Sequence, residues 1–147
     1  MAATQGAKLT PQPLPFEVNF HHFGISVPKL QPAIDWYCKM LGFEVEQQFS
    51  IDVIPADIVI LRRGNLHIEV FEVPNSVPAS EDRRNPDLDV RTHGMKHIGF
   101  TVKGVAALVD EFKQRGVDIV FFKENGPIGG HVYIRDNNGN LLEFIEA

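Results

Sequence analysis

His22-Phe23-Gly24-Ile25-Ser26-Val27 returns later in the chain as His97-Ile98-Gly99-Phe100-Thr101-Val102. A second stretch, Gly64-Asn65-Leu66-His67-Ile68-Glu69, returns as Gly139-Asn140-Leu141-Leu142-Glu143 with one residue deleted. The histidine-to-glutamate separation is 47 positions in the first copy (22 to 69) and 46 in the second (97 to 143). A repeat of this length describes one supersecondary unit used twice. Because it duplicates a histidine and a carboxylate, it also duplicates chemistry.

Working outward from the repeat, each copy reads as β-α-β-β-β. Phe20 to Val27 alternates apolar and small or polar residues, as a strand with one buried face does. Leu30, Ala33, Ile34, Tyr37 and Leu41 follow helical spacing, and Gly42 stops the helix. Phe43 to Phe49, Asp57 to Leu61 and Leu66 to Val73 read as three further strands. Residues 74–94 carry three prolines and the charged run Glu81-Asp82-Arg83-Arg84, which reads as a linker. Its arginines read as solvated charges, with contact to an anionic substrate as the lesser alternative.

The second copy repeats the plan. Lys96 to Val102 is a strand, and Val105, Leu108, Val109 and Phe112 mark a helix stopped at Gly116. Val117 to Phe122, His131 to Arg135 and Asn140 to Glu146 are strands, with Asp136-Asn137-Asn138-Gly139 as a turn. The chain thus reads as an α+β domain over residues 16–147: module one at 18–73, the linker at 74–94, module two at 95–147. Residues 1–15 read as a flexible tail. The glycine-rich loop 124–130 lacks the lysine and the strand-to-helix setting of a phosphate loop.

Composition narrows the function classes. The chain has 147 residues and a net charge of −5, which disfavours nucleic acid and anionic membranes as partners. No apolar run is long enough to span a bilayer, and no secretory signal opens the sequence. Cys38 is the single cysteine, so no internal disulfide framework exists. These features fit a cytoplasmic protein.

Strand parity sorts the site residues. His22 shares a face with Gly24 and Ser26, and His97 with Gly99 and Thr101. Phe23, Ile25, Val27, Ile98, Phe100 and Val102 occupy the other face and need helices to cover them. The same parity puts Ile68, Val70, Leu142 and Phe144 under the helices, and Glu69 and Glu143 on the open, concave face. Two imidazoles and two carboxylates on one face form a ligand set for a divalent metal: Zn²⁺, Ni²⁺, Co²⁺, Mn²⁺ or Fe²⁺. Four protein ligands on a six-coordinate ion leave room for two vicinal oxygens of a small-molecule substrate.

These stretches, with Trp36-Tyr37, Leu41-Gly42-Phe43 and the turn before Glu143, resemble the vicinal oxygen chelate superfamily over residues 18–147. Glyoxalase I, methylmalonyl-CoA epimerase, extradiol dioxygenases, fosfomycin-resistance enzymes and bleomycin-binding proteins belong to that group. The resemblance implies paired β-α-β-β-β modules in a cupped mixed sheet. It also implies His22, Glu69, His97 and Glu143 as metal ligands. The fourth ligand, Glu69, resembles the isomerase, lyase and epimerase members. The implied reaction is proton abstraction next to a metal-chelated carbonyl, with Glu143 or Glu69 as base. A single-domain Fe²⁺ dioxygenase and a module that sequesters a drug or metabolite stay open as alternatives.

Among the remaining candidates, His131 and Tyr133 share a parity and reach the cavity if that face is concave. A histidine there is a candidate to move a proton, with a pocket-lining or exposed histidine as the equal alternative. His67 has the parity of Glu69, His21 reads as structural and His93 as solvated. Exposed edge strands allow pairing into a homodimer.

Overall fold

The computed structural model describes residues 8–147. The proposed tail at 1–15 therefore lies partly outside the described residues; positions 8–14 have no regular secondary structure.

Two four-stranded mixed sheets form, one from each copy of the repeat. The first contains β1 (Phe23–Val27), β2 (Glu44–Ile51), β3 (Ala56–Arg63) and β4 (Leu66–Glu72) in the order β1-β4-β3-β2. The second contains β5 (Ile98–Val102), β6 (Asp118–Lys123), β7 (His131–Arg135) and β8 (Leu141–Glu146) in the order β5-β8-β7-β6. β1 runs parallel to β4 and β5 parallel to β8; the other pairs are antiparallel. Helices α1 (Leu30–Leu41) and α3 (Val105–Arg115) make the crossovers that parallel pairing requires. Even an irregularity is repeated: the register shifts between Val45 and Gln47 in β2 and between Ile119 and Phe121 in β6.

The apolar stripe of α1 buries Leu30, Ala33, Ile34, Tyr37 and Leu41, the five residues its spacing selects. In α3, Val105, Val109 and Phe112 are buried and Leu108 partly so. Both stripes enter one core with Ile68, Val70, Leu142 and Phe144 from the sheet faces beneath. Both helices stop at a glycine in the left-handed region, Gly42 at φ +72° and Gly116 at φ +72°.

Helix entry is solved by a device the sequence reading did not find. Glu72, at the end of β4, accepts the Leu30 backbone N–H at 2.8 Å and the Lys29 ammonium at 2.8 Å. Glu146, at the end of β8, accepts the Gly104 and Val105 N–H groups at 2.8 and 2.7 Å. Each parallel strand therefore ends in a carboxylate that satisfies orphan donors and meets the positive end of the helix dipole. These contacts hold both carboxyls below the ordinary carboxylate value.

Most strand boundaries shift by one or two residues, and the first moves furthest. β1 begins at Phe23 rather than Phe20, because its ladder to β4 begins with Phe23 opposite Ile68. β5 likewise begins at Ile98, opposite Leu142. His22 and His97 each sit one residue before a strand, at its mouth. The linker also has structure: a 3-10 turn at Glu81–Arg84 and a short helix α2 (Pro86–Asp89). It is anchored by Asp89, which is 3% exposed and takes Arg83 Nε at 3.2 Å and Lys96 Nζ at 3.3 Å. Arg83 is thus a structural tie rather than a solvated charge.

Candidate metal and acid–base site

Each module brings its own histidine and glutamate together. His22 Nε2 lies 3.1 Å from Glu69 Oε2, and His97 Nε2 lies 3.0 Å from Glu143 Oε2. The local cause is the ladder itself. Gly24 pairs with Glu69 and Gly99 with Glu143, so each glutamate projects beside a glycine and toward the histidine two residues earlier. A Cβ at Gly24 would press on Phe71 at 3.3 Å.

The four side chains do not surround a common point. Among the described residues, no three histidine, cysteine or acid side chains are gathered closely enough to hold one ion. Each pair alone has the spacing of neighbouring ligands: two donors at right angles on an ion with bonds of about 2.1 Å stand about 3.0 Å apart. Glu143 adds a second sign of fit. Its side chain is 6% exposed, and its Oε1 is buried with no hydrogen-bond partner among the described residues. An unpaired buried carboxylate oxygen is costly unless a cation or a proton meets it.

The halves differ in what faces the glutamate. Tyr133 on β7 stands opposite Glu143, while Ile60 on β3 stands opposite Glu69. The Tyr133 hydroxyl is 3.2 Å from His97 Nε2, and the two rings meet edge to face at 4.9 Å. Burial, and then the Glu143 charge, push the Tyr133 phenol up to about 12. At neutral pH it is a proton-bearing donor beside the acid. His131 lies next in line, its ring centroid 6.2 Å from that of Tyr133 and its Nδ1 3.1 Å from the Gly129 carbonyl. The glycine loop serves packing here: a Cβ at Gly130 would lie 2.6 Å from the Glu124 carbonyl and 2.8 Å from Val105.

Module one carries a different set of neighbours. His21 Nδ1 lies 2.6 Å from His22 Nδ1, so one ring donates and the other accepts. The His21 ring stacks on His67 at 5.7 Å, and His67 Nε2 is 3.4 Å from Glu46. Sequence parity placed His21 on the opposite face. It reaches His22 because residues 21 and 22 precede the ladder and escape its alternation. His93 is exposed. A cavity of about 900 Å³ runs between β1, the linker and the first residues of β5 and β8, with His97 on its wall.

The repeated half-sheets, each with a paired histidine and glutamate, agree with a family match. The family model described as "Glyoxalase/Bleomycin resistance protein/Dioxygenase superfamily" matches residues 19–144. The chain belongs to that superfamily. It is 24% identical over 137 residues to the mitochondrial methylmalonyl-CoA epimerase of Bos taurus, covering 88% of this chain and 74% of that one. A glyoxalase family protein of Enterococcus faecalis superposes with a TM-score of 0.71 at 20% identity, covering 86% of this chain and 95% of that one. The trypanothione-dependent glyoxalase I of Leishmania major superposes with a TM-score of 0.68 at 19% identity, covering 88% and 87%. At these identities the solved structures speak for the fold. Among the described residues, no helix is long and apolar enough to cross a membrane.

Proposed function

We propose that this superfamily member is a metal-dependent isomerase, epimerase or lyase that removes a proton next to a carbonyl. His22, Glu69, His97 and Glu143 would hold one divalent ion only once the two separate pairs close on it; bound there, the ion would supply Lewis acidity to two neighbouring substrate oxygens. Glu143 is the base. The observation that carries this assignment is its buried, partnerless Oε1 beside a tyrosine that Glu69 lacks. Burial keeps water from competing for that oxygen. Tyr133, protonated throughout the physiological range, donates to a neighbouring oxygen and steadies the charge that develops there. His131 stands behind Tyr133 as a route for the proton to solvent. Acyl thioesters and hemithioacetals form the first substrate panel.

Solvent exchange tests the chemistry directly. Metal-loaded protein is incubated with each carbonyl compound in D₂O, and the adjacent C–H signal is followed by NMR. The expected result is deuterium uptake at that carbon, lost in Glu143→Ala and reduced at least about a hundredfold in Tyr133→Phe, within the usual worth of positioned acid–base groups. Exchange that continues unchanged in Glu143→Ala removes it from the role. Oxygen consumption with a catechol, in place of exchange, would favour the dioxygenase alternative.

A further inference from the structure

Arg84 of the linker meets the β7–β8 turn at Gly139, next to Asn138. Arg84 closes the 3-10 turn of the linker, and its carbonyl accepts Arg135 Nε at 2.6 Å, which fixes the turn against β7. Its guanidinium lies over Gly139. A Cβ there would strike it, with Arg84 Cζ only 2.7 Å away, and Gly139 also has φ +82°. The β7–β8 turn and the seat of Arg84 thus require the same residue. The one carboxylate within 4.0 Å of Arg84 among the described residues is Glu81, at 3.9 Å and on a 94% exposed side chain. On the same turn as Gly139, Asn138 Nδ2 is buried with no hydrogen-bond partner among the described residues.

Arg84 and Asn138 both line the 900 Å³ cavity that reaches His97. The other cations on that wall are already committed. Arg83 donates to Asp89 and the Met95 carbonyl, and Lys96 donates to the Asp89 carboxylate and carbonyl. The cavity wall therefore carries a planar, forked cation and an asparagine whose buried side-chain nitrogen has no partner among the described residues. We propose that Arg84 and Asn138 form a subsite for an oxyanion, the carboxylate or phosphate group of a ligand whose other end reaches His97. A guanidinium binds such a group through two parallel N–H donors, and the amide takes a further oxygen lone pair. This deepens the reading above and rests on it only for what happens at the far end of the ligand.

The test uses the full, metal-free chain with malonate and inorganic phosphate as separate probes. The Asn138 side-chain NH₂ and the Arg84 Nε–H are followed by ¹H–¹⁵N NMR. Saturable shifts of both signals are expected with at least one probe, and the probe that saturates distinguishes carboxylate from phosphate. Arg84→Gln should weaken binding about tenfold, and Asn138→Ala should weaken it severalfold, as loss of a charge-assisted and of a neutral hydrogen bond would. Both variants should keep the wild-type metal affinity. No saturation with either probe, or saturation that survives both substitutions, overturns the subsite. A chain that binds the anion but no metal keeps the subsite and sinks the proposed function instead.

Discussion

At the residue scale, two contacts set expectations that a repeat alone does not. If His22 offers Nε2 to a metal, its Nδ1 must carry the proton and donate to His21 Nδ1, 2.6 Å away. A ligand histidine so held has its tautomer and ring plane fixed in advance, and removing such a partner costs about 10- to 100-fold in metal affinity. His21→Ala should show that loss by calorimetric titration with Ni²⁺ or Zn²⁺, whereas His93→Ala, on an exposed linker residue, should show none. The tyrosines give a second expectation. Tyr37 and Tyr133 are the only two in the chain, and both phenols are raised, Tyr133 to about 12 and Tyr37 well above 10. An unfolded phenol ionises near 10 while the folded ones stay protonated, so the folded state binds more protons above that pH. Stability should therefore fall as pH rises past 10. Phenolate absorbance in the native protein should be missing at pH 10–11 and appear together with loss of ellipticity. An ordinary phenolate step in still-folded protein would contradict the raised phenols of the buried Tyr37 and the half-buried Tyr133.

At the element scale, the helix stripes were legible because burial repeats every three to four residues, and α1 buries the five positions its pattern names. Strand parity also held for Ile68, Val70, Leu142 and Phe144, since a one-residue slip would have turned all of them outward. What stayed hidden depends on contacts far apart in sequence. Nothing local to Glu72 marks it as the cap of a helix that began 42 residues earlier, and Glu146 caps one 41 residues back. Asp89 was equally silent, because a buried acid in a polar linker has no periodicity to reveal it. The caps carry their own pH signature. With both carboxyls held below their ordinary value, the stabilisation is complete above the unfolded carboxylate pKa and fades as pH drops through the lower folded value. Glu146→Gln keeps an acceptor but loses the charge. It should lower the melting temperature at pH 7 and shrink the difference from wild type at pH 3. An unchanged difference at pH 3 would mean that the carboxylate charge has no part in capping.

At the scale of the whole molecule, the two sheets share a core but, among the described residues, no strand-to-strand ladder. Side chains join them instead. Tyr37 on α1 donates to Asp136 Oδ2 at 2.8 Å in the turn before β8, and Arg115 at the end of α3 donates to the Lys39 and Met40 carbonyls. Asp136 is buried and also takes the Asn140 side-chain amide at 2.8 Å, so Tyr37→Phe leaves it partly satisfied. A cost of roughly 1.5–3 kcal/mol is expected for that substitution, the usual worth of a hydrogen bond to a charged group. It should appear as a lower urea midpoint with an unchanged slope.

The modules meet through side chains rather than a continuous sheet, and this bears on the two separate histidine–glutamate pairs. A sequence repeat predicts which residue types are paired but not the distance between halves, which depends on how the modules sit. If one ion is shared by all four ligands, the pairs must close on it, within one chain or between two copies. Binding should then saturate at one ion per chain, and His22→Ala and His97→Ala should each abolish it. If the pairs act independently, binding should reach two weak ions per chain, and each substitution should remove one and leave the other unaltered. One ion with mutual dependence is the expected outcome. Sedimentation velocity on the same samples shows which kind of closure occurs: a shift from monomer to dimer on adding metal places the partner half in a second copy. An unchanged monomer with a smaller frictional ratio places it in the same chain. Two independent ions per chain would mean that the repeat duplicated a binding pair without ever joining its copies, and the four-ligand reading would fall with it.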